Sequence, residues 1–209
     1  MTGGWQGSLL DQVDEVGLLA LPAAVRRTRL SAGAWIDVRP GWLTGADTVF
    51  ARLRDAVYWQ AERRRMYDRV VDVPRLVRFY GAGEPFPDPI LAAARDALGT
   101  YYEPELGERF TTAGLCYYRD GRDSVAWHGD TGGRSSTIDT MVAIVSVGTP
   151  RPLLLRPRGG GTSLRFVVGH GDLLVMGGSC QRTWEHAVPK VSAATGPRIS
   201  IQFRPHDVR

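Results

Sequence analysis

A chain of 209 residues with 43% hydrophobic and 23% charged side chains is the size of one compact, cored domain, which excludes a disordered or fibrous polypeptide. A net charge of +4 does not by itself demand a nucleic-acid partner. Lys190 is nevertheless the single lysine among 26 basic residues, a bias that reads either as codon usage or as guanidinium groups suited to phosphate. Cys116 and Cys180 are too few for a disulfide framework and fit a cytoplasmic protein, while the apolar run from Val16 to Val25 contains Pro22 and is too short for a membrane span.

In chain order, residues 1–45 are irregular, with apolar pieces at Leu18–Leu21 and Trp35–Val38 that read as two short strands packed outside the core. From Thr44 to Gln60, Phe50, Leu53 and Val57 fall at helical spacing, and Thr44 or Asp47 can cap the start. The charged stretch Glu62 to Tyr67 then reads as a solvated helix end or as a phosphate-facing patch. Pro74 to Gly81 suggests a strand leading into a Gly- and Pro-rich loop. A second helix is better marked: Asp88 caps, Pro89 takes the first helical position, Ile90, Leu91, Ala94 and Leu98 form the buried stripe, and Gly99 suits the stop.

Beyond Phe110 the texture becomes β. Short apolar or alternating runs at 115–118, 140–147, 153–156, 164–168, 172–176, 183–188 and 198–204 are bounded by Gly, Pro or Asp turns. They predict an α+β, mainly β fold in a single domain, 1–209. Its N-terminal α/β layer covers about 1–109 and its double-sheet jelly-roll core about 110–205.

Two stretches carry chemistry. If Ser124 to Asp130 is extended, His128 and Asp130 project from one face with small Gly129 between them. That pair is two-thirds of the three-residue face that holds non-haem Fe(II), and His186 lies fifty-six residues further on. Alone, His-x-Asp is a common triplet. In the last run Arg198, Ser200, Gln202 and Arg204 alternate with Ile199, Ile201 and Phe203, giving one polar and one apolar face. The two arginines sit about 20 Å apart along a strand. They either frame one anion or metal site from opposite ends or decorate a solvated edge.

Taken together and in this order, His128-x-Asp130, His186 and Arg198-x5-Arg204 resemble the signature of the AlkB-type Fe(II)/2-oxoglutarate dioxygenases. The stretches Tyr118 to Gly121, Asp123 to His128, His170 to Met176 and Trp184 to Lys190 are similar to that family too, so the likeness spans roughly residues 70–205. It implies a double-stranded β-helix core. It also implies that His128, Asp130 and His186 bind Fe(II), with open positions for 2-oxoglutarate and O2. Arg198 would grip the distal carboxylate of 2-oxoglutarate, Tyr118 and Ser200 would line the same cosubstrate, and Arg204 would support Asp130 or the C1 carboxylate. Arg75 and Tyr80 fall in the stretch resembling the family's nucleotide-recognition lid, and Trp127 is adjacent to the metal histidine. The implied activity is DNA repair by oxidative demethylation of 1-methyladenine and 3-methylcytosine in single- or double-stranded DNA, with RNA a further substrate class. Succinate, CO2 and formaldehyde are the co-products. A soluble monomer with no membrane partner is expected.

The sequence departs from the family pattern at Cys116, where relatives carry asparagine in Asn-x-Tyr, and at Ser200, where asparagine is also common. Thr131-Gly132-Gly133 stands where an acidic residue often follows His-x-Asp. Two other readings share these residues: a 2-oxoglutarate dioxygenase of a small molecule, and a non-catalytic nucleic-acid-binding protein on the same scaffold.

Overall fold

The computed structural model describes residues 15–22, 24–66 and 69–208, apart from the side chains of 62–66 and 69–72. Among these residues the order is β1 (Gly17–Leu18), β2 (Arg26–Arg29), β3 (Ala34–Arg39), β4 (Leu43–Thr44), α1 (Ala46–Ala56), β5 (Gln60–Met66), β6 (Arg69–Tyr80) and α2 (Pro89–Leu106). It continues β7 (Thr112–Tyr118), β8 (Val125–His128), β9 (Val142–Gly148), β10 (Arg151–Pro157), β11 (Leu164–Val168), β12 (Leu173–Gly178), α3 (Cys180–Thr183), β13 (Trp184–Val188) and β14 (Arg198–Arg204). Every strand pairing is antiparallel. A major sheet runs β2-β3-β12-β9-β14-β7-β6-β5 and a minor sheet β11-β10-β13-β8.

The layers follow from side-chain alternation. On β14, Ile199, Ile201 and Phe203 join a core shared with α1 and α2, while Arg198 and Ser200 are buried on the opposite face, toward the minor sheet. On β9 and β12 both faces are apolar: Val145 and Val175 belong to the helix-side core, whereas Ile144 and Met176 pack against Leu155 and Val188 of the minor sheet. A strand buried on both faces has no polar register, which is why these runs are nearly continuous in apolar residues. The result is a jelly roll backed by helices on its larger sheet. Among the described residues no helix is long and apolar enough to cross a membrane.

Four features depart from the sequence reading. Trp35–Val38 does not lie outside the core: β3 is an inner strand of the major sheet, between β2 and β12, with Trp35 buried on the helix side and Ile36 on the other. The helix predicted to reach Gln60 stops at Ala56, and Gln60–Met66 is a strand paired with β6. Neither Thr44 nor Asp47 caps α1. Gly45 holds the N-cap at φ 62°, a left-handed backbone natural to glycine, while Thr44 Oγ1 donates to Glu15 O at 2.8 Å. At α2 the Asp88 cap is present, its carboxylate accepting from Ile90 N at 3.0 Å, but the helix runs through Gly99 and ends at left-handed Gly107. The extra turns bury Tyr102, and that burial outweighs the weak helical preference of glycine.

Tyr102 also ties α2 to the sheet. Its hydroxyl donates to Asp37 Oδ2 at 3.0 Å, and Arg27 donates to both oxygens of Asp37 at 2.7 and 2.8 Å. Asp37 is 2% exposed, so Asp37→Ala is expected to strand the Tyr102 phenol and to leave Arg27 with Glu105, to which it donates at 2.8 and 2.9 Å, as its remaining partner. The expected loss is about 2–3 kcal/mol, kept at the lower end of a broken buried pair because Arg27 reaches solvent. Urea unfolding followed by circular dichroism checks it, and an unchanged midpoint would remove this network from the account of α2 docking.

Candidate functional site

Strands β8 and β13 are neighbours in the minor sheet, and His128 lies directly opposite His186 with ring centroids 4.2 Å apart. Directly opposed residues share a face, so both imidazoles point between the sheets. The strand ends at His128, leaving Asp130 in the following loop rather than on the strand itself. The convergence survives: His128 Nε2 is 3.7 Å from Asp130 Oδ1, and one ligand atom from each of His128, Asp130 and His186 lies within 4.8 Å of the others. Gly129 makes the turn possible, because a Cβ there would sit 2.6 Å from the Gln181 carbonyl oxygen. Gln181, itself buried, accepts from the Asp130 backbone N at 3.1 Å.

Proton placement suits a metal. His128 Nδ1 is 2.8 Å from the Ala126 carbonyl, which can only accept, so the proton sits on Nδ1 and the Nε2 lone pair faces the cluster. Burial and the neighbouring His128 push the His186 pKa down to about 3, keeping that imidazole neutral. Burial works against the charge on Asp130, yet Arg204 and the two imidazoles hold its carboxyl well below the usual carboxylate range. Arg204 donates from Nε and Nη2 to Asp130 Oδ2 at 3.0 and 2.8 Å, leaving Oδ1 on the His128 side. Two converging imidazoles and one oriented carboxylate are the donor set of a 2-His-1-carboxylate iron site.

Deeper along β14 lies a second, cationic feature. Arg198 is 2% exposed; its Nε donates to Ser146 Oγ at 2.8 Å, its guanidinium lies 5.3 Å from the Tyr118 ring centroid, and its Nη1 has no hydrogen-bond partner. No carboxylate pairs with it among the described residues, and burial pulls its pKa down. Tyr118 is pushed up to about 12 by burial and remains a neutral phenol. Arg151, 1% exposed and 5.6 Å from the same ring, donates through Nη1 and Nη2 to the carbonyls of Asp120, Asp123 and Pro189, while its Nε has no hydrogen-bond partner. A buried guanidinium with an orphaned nitrogen, next to a second buried cation, is a socket for a carboxylate. The donor set thus fits a divalent metal, and the unpaired guanidinium of Arg198, on the same strand as Arg204, fits a carboxylate.

The remaining candidates fall in different places. Arg75 lies on the Tyr118 face of the major sheet, its Nη1 donating to Ser124 O at 3.4 Å. Tyr80 is buried in the helix-side core, edge-on to Phe86, on the face of the major sheet turned away from the triad. Its neighbour Phe79, 46% exposed, takes the triad side. Trp127 points outward, with Arg156 stacked 4.1 Å over its ring and bonded to Glu185. Arg158 turns back onto the carbonyls of Gln181 and Arg182. The arginine patch at 62–67 lies outside the described side chains. Ser146, the one hydroxyl inside the otherwise apolar strand β9, escaped the sequence reading and accepts from Arg198, while Gln202, already placed on the polar face between the two arginines, bonds Arg204.

The chain matches the model of the 2OG-Fe(II) oxygenase superfamily over residues 77–204. It is 29% identical over 203 residues to the alpha-ketoglutarate-dependent dioxygenase alkB homolog 3 of Bos taurus, covering 88% of this chain and 67% of that protein. It is 31% identical over 133 residues to the DNA oxidative demethylase ALKBH2 of Arabidopsis thaliana, covering 53% of this chain and 42% of that protein. In fold it is similar to the solved structure of OsALKBH1, with a TM-score of 0.61 and 14% identity over 85% of this chain and 100% of that one. With an open His-Asp-His face, a buried carboxylate socket and these relatives, the chain belongs to the 2OG-Fe(II) oxygenase superfamily as an AlkB-type dioxygenase that uses Fe(II), 2-oxoglutarate and O2.

Proposed function

We propose that this dioxygenase removes N-linked alkyl groups from nucleobases, of the 1-methyladenine and 3-methylcytosine type, in DNA and also in RNA. The observation that carries the reading is the alignment of 88% of the chain with a relative described as an alkB homolog 3, joined by a second described as a DNA oxidative demethylase. Two features of the site support it. The triad is open on the side of His128, whose side chain is 38% exposed, whereas Asp130 and His186 are buried. From the triad face of β6, Phe79 offers an exposed ring to an unstacked base.

When bound, Fe(II) couples the conversion of 2-oxoglutarate and O2 into succinate and CO2 to hydroxylation of the N-methyl carbon. The resulting N-hydroxymethyl group falls apart to formaldehyde and the unmodified base. The protein's own share is placement. Arg198 and Tyr118 orient the cosubstrate, Arg204 fixes one oxygen of Asp130, and the packed sheets keep water from the reacting carbon.

The test uses a short single-stranded oligonucleotide carrying 1-methyladenine or 3-methylcytosine, with Fe(II), 2-oxoglutarate and ascorbate. Demethylation read by mass spectrometry should match succinate formed. Succinate without demethylation would move the search to another substrate, and neither product from iron-loaded protein would overturn the enzymatic reading.

A further inference from the structure

Between Arg198 and Arg204 the same face of β14 presents Ser200 and Gln202, so a dicarboxylate that reaches from Arg198 to the triad must pass over both. The two arginines start about 20 Å apart along the strand, and their side chains close on the middle from either end. We propose that Gln202 is a cosubstrate-binding residue whose side-chain amide donates to the carboxylate of 2-oxoglutarate nearer the metal. This rests on the Fe(II)/2-oxoglutarate chemistry alone and is independent of which substrate is oxidised.

Three observations lead there. First, the amide's orientation is set: Oε1 accepts from Arg204 Nη2 at 2.6 Å, and a guanidinium can only donate, so both amide hydrogens belong to Nε2. Second, those hydrogens are poorly used. Nε2 lies 3.3 Å from Ser200 Oγ and 3.6 Å from Cys116 Sγ, the first bond long and the second made to a weak acceptor. Third, Gln202 shares Arg204 Nη2 with Asp130 Oδ2, which lies 2.8 Å from that nitrogen, so it stands one side chain away from a metal ligand. Cys116, opposite Ser200 on β7, offers a carboxylate little, so the neutral donors on this stretch of the floor are the Ser200 hydroxyl and the Gln202 amide, and of these it is Gln202 that bonds Arg204 beside Asp130.

The experiment is calorimetric titration of 2-oxoglutarate into the full chain loaded with Mn(II), which supports binding without turnover. Gln202→Met keeps length and removes the donor; its dissociation constant for 2-oxoglutarate should rise about 10- to 100-fold, the effect of one hydrogen bond to a charged group. Mn(II) affinity and the thermal midpoint should stay close to those of the parent. Gln202→Glu separates binding from bracing, because it keeps an acceptor for Arg204 while losing the donor and adding repulsion. It should weaken 2-oxoglutarate at least as much as the Met variant. Retained 2-oxoglutarate affinity in the Glu variant would mean that Gln202 acts only by holding Arg204 and would overturn the proposal. So would a parallel fall in Mn(II) affinity in the Met variant, or no 2-oxoglutarate binding by the parent.

Discussion

Asp130→Ala is expected to reduce succinate formation to background, a loss of at least about 1000-fold, with iron content falling in step. The argument runs from geometry to charge. Asp130 is the one anionic donor of the cluster, and its Oδ1 is presented only because Arg204 occupies Oδ2 through two hydrogen bonds. Without the carboxylate the two imidazoles lose a fellow ligand and a negative charge together. Asp130→Asn separates those contributions: it keeps an oxygen for Arg204 but not the charge, and is expected to bind metal weakly and turn over slowly. The Ala variant should also be less stable by up to about 3 kcal/mol, since Arg204, 11% exposed, loses its ionic partner. Iron analysis, succinate quantification and urea unfolding read the three effects separately. Iron-dependent turnover retained by the Ala variant would remove the triad.

How much of this was legible beforehand depends on what kind of constraint each residue obeys. The convergence of His128, Asp130 and His186 was legible only through their order and spacing together with Arg198 and Arg204, since His-x-Asp alone is a common triplet. The polar and apolar alternation of β14 was legible because its two faces meet different layers. Strand β3 was legible as a strand but not in its place, since its inner position between β2 and β12 depends on pairings that its own residues do not record. The stretch Gln60–Met66 reads as a helix end because its charge run carries no periodicity, and only its pairing with β6 reveals a strand. Tyr80 illustrates a different gap. An aromatic pair, Phe79 and Tyr80, must split between two faces, and which one meets the site depends on whether Ala113 or Gly114 of β7 lies opposite it. Trp127, adjacent to His128 in sequence, takes the opposite face of β8, and its engagement by Arg156 across the sheet needed β10 in place.

Arg198→Met should produce an unusual pair of results: 2-oxoglutarate binding nearly lost, and unliganded stability equal to or above that of the parent. In most proteins removing a buried arginine strands a carboxylate and costs stability. Here no carboxylate pairs with Arg198 among the described residues, its Nη1 is unpartnered, and its buried charge already depresses its own pKa. An apolar side chain of similar length removes that desolvation penalty, in the range where such replacements are neutral or stabilising by about 1–4 kcal/mol. Leaving Ser146 Oγ without its donor offsets part of the gain, by about 1 kcal/mol. Binding moves the other way. Losing one partner of a buried, hydrogen-bonded charge pair costs about 2–5 kcal/mol, which is about 30- to several-thousand-fold in dissociation constant. Ligand linkage makes the contrast visible in one instrument. For the Mn(II)-loaded parent, 2-oxoglutarate at 100 times its dissociation constant should add about 2.7 kcal/mol to stability, and for the variant the same concentration should add at most about 0.9 kcal/mol. A variant that unfolds earlier than the parent in the absence of ligand, yet is stabilised by 2-oxoglutarate to the same extent, would show that Arg198 is a structural cation and that the dicarboxylate lies elsewhere.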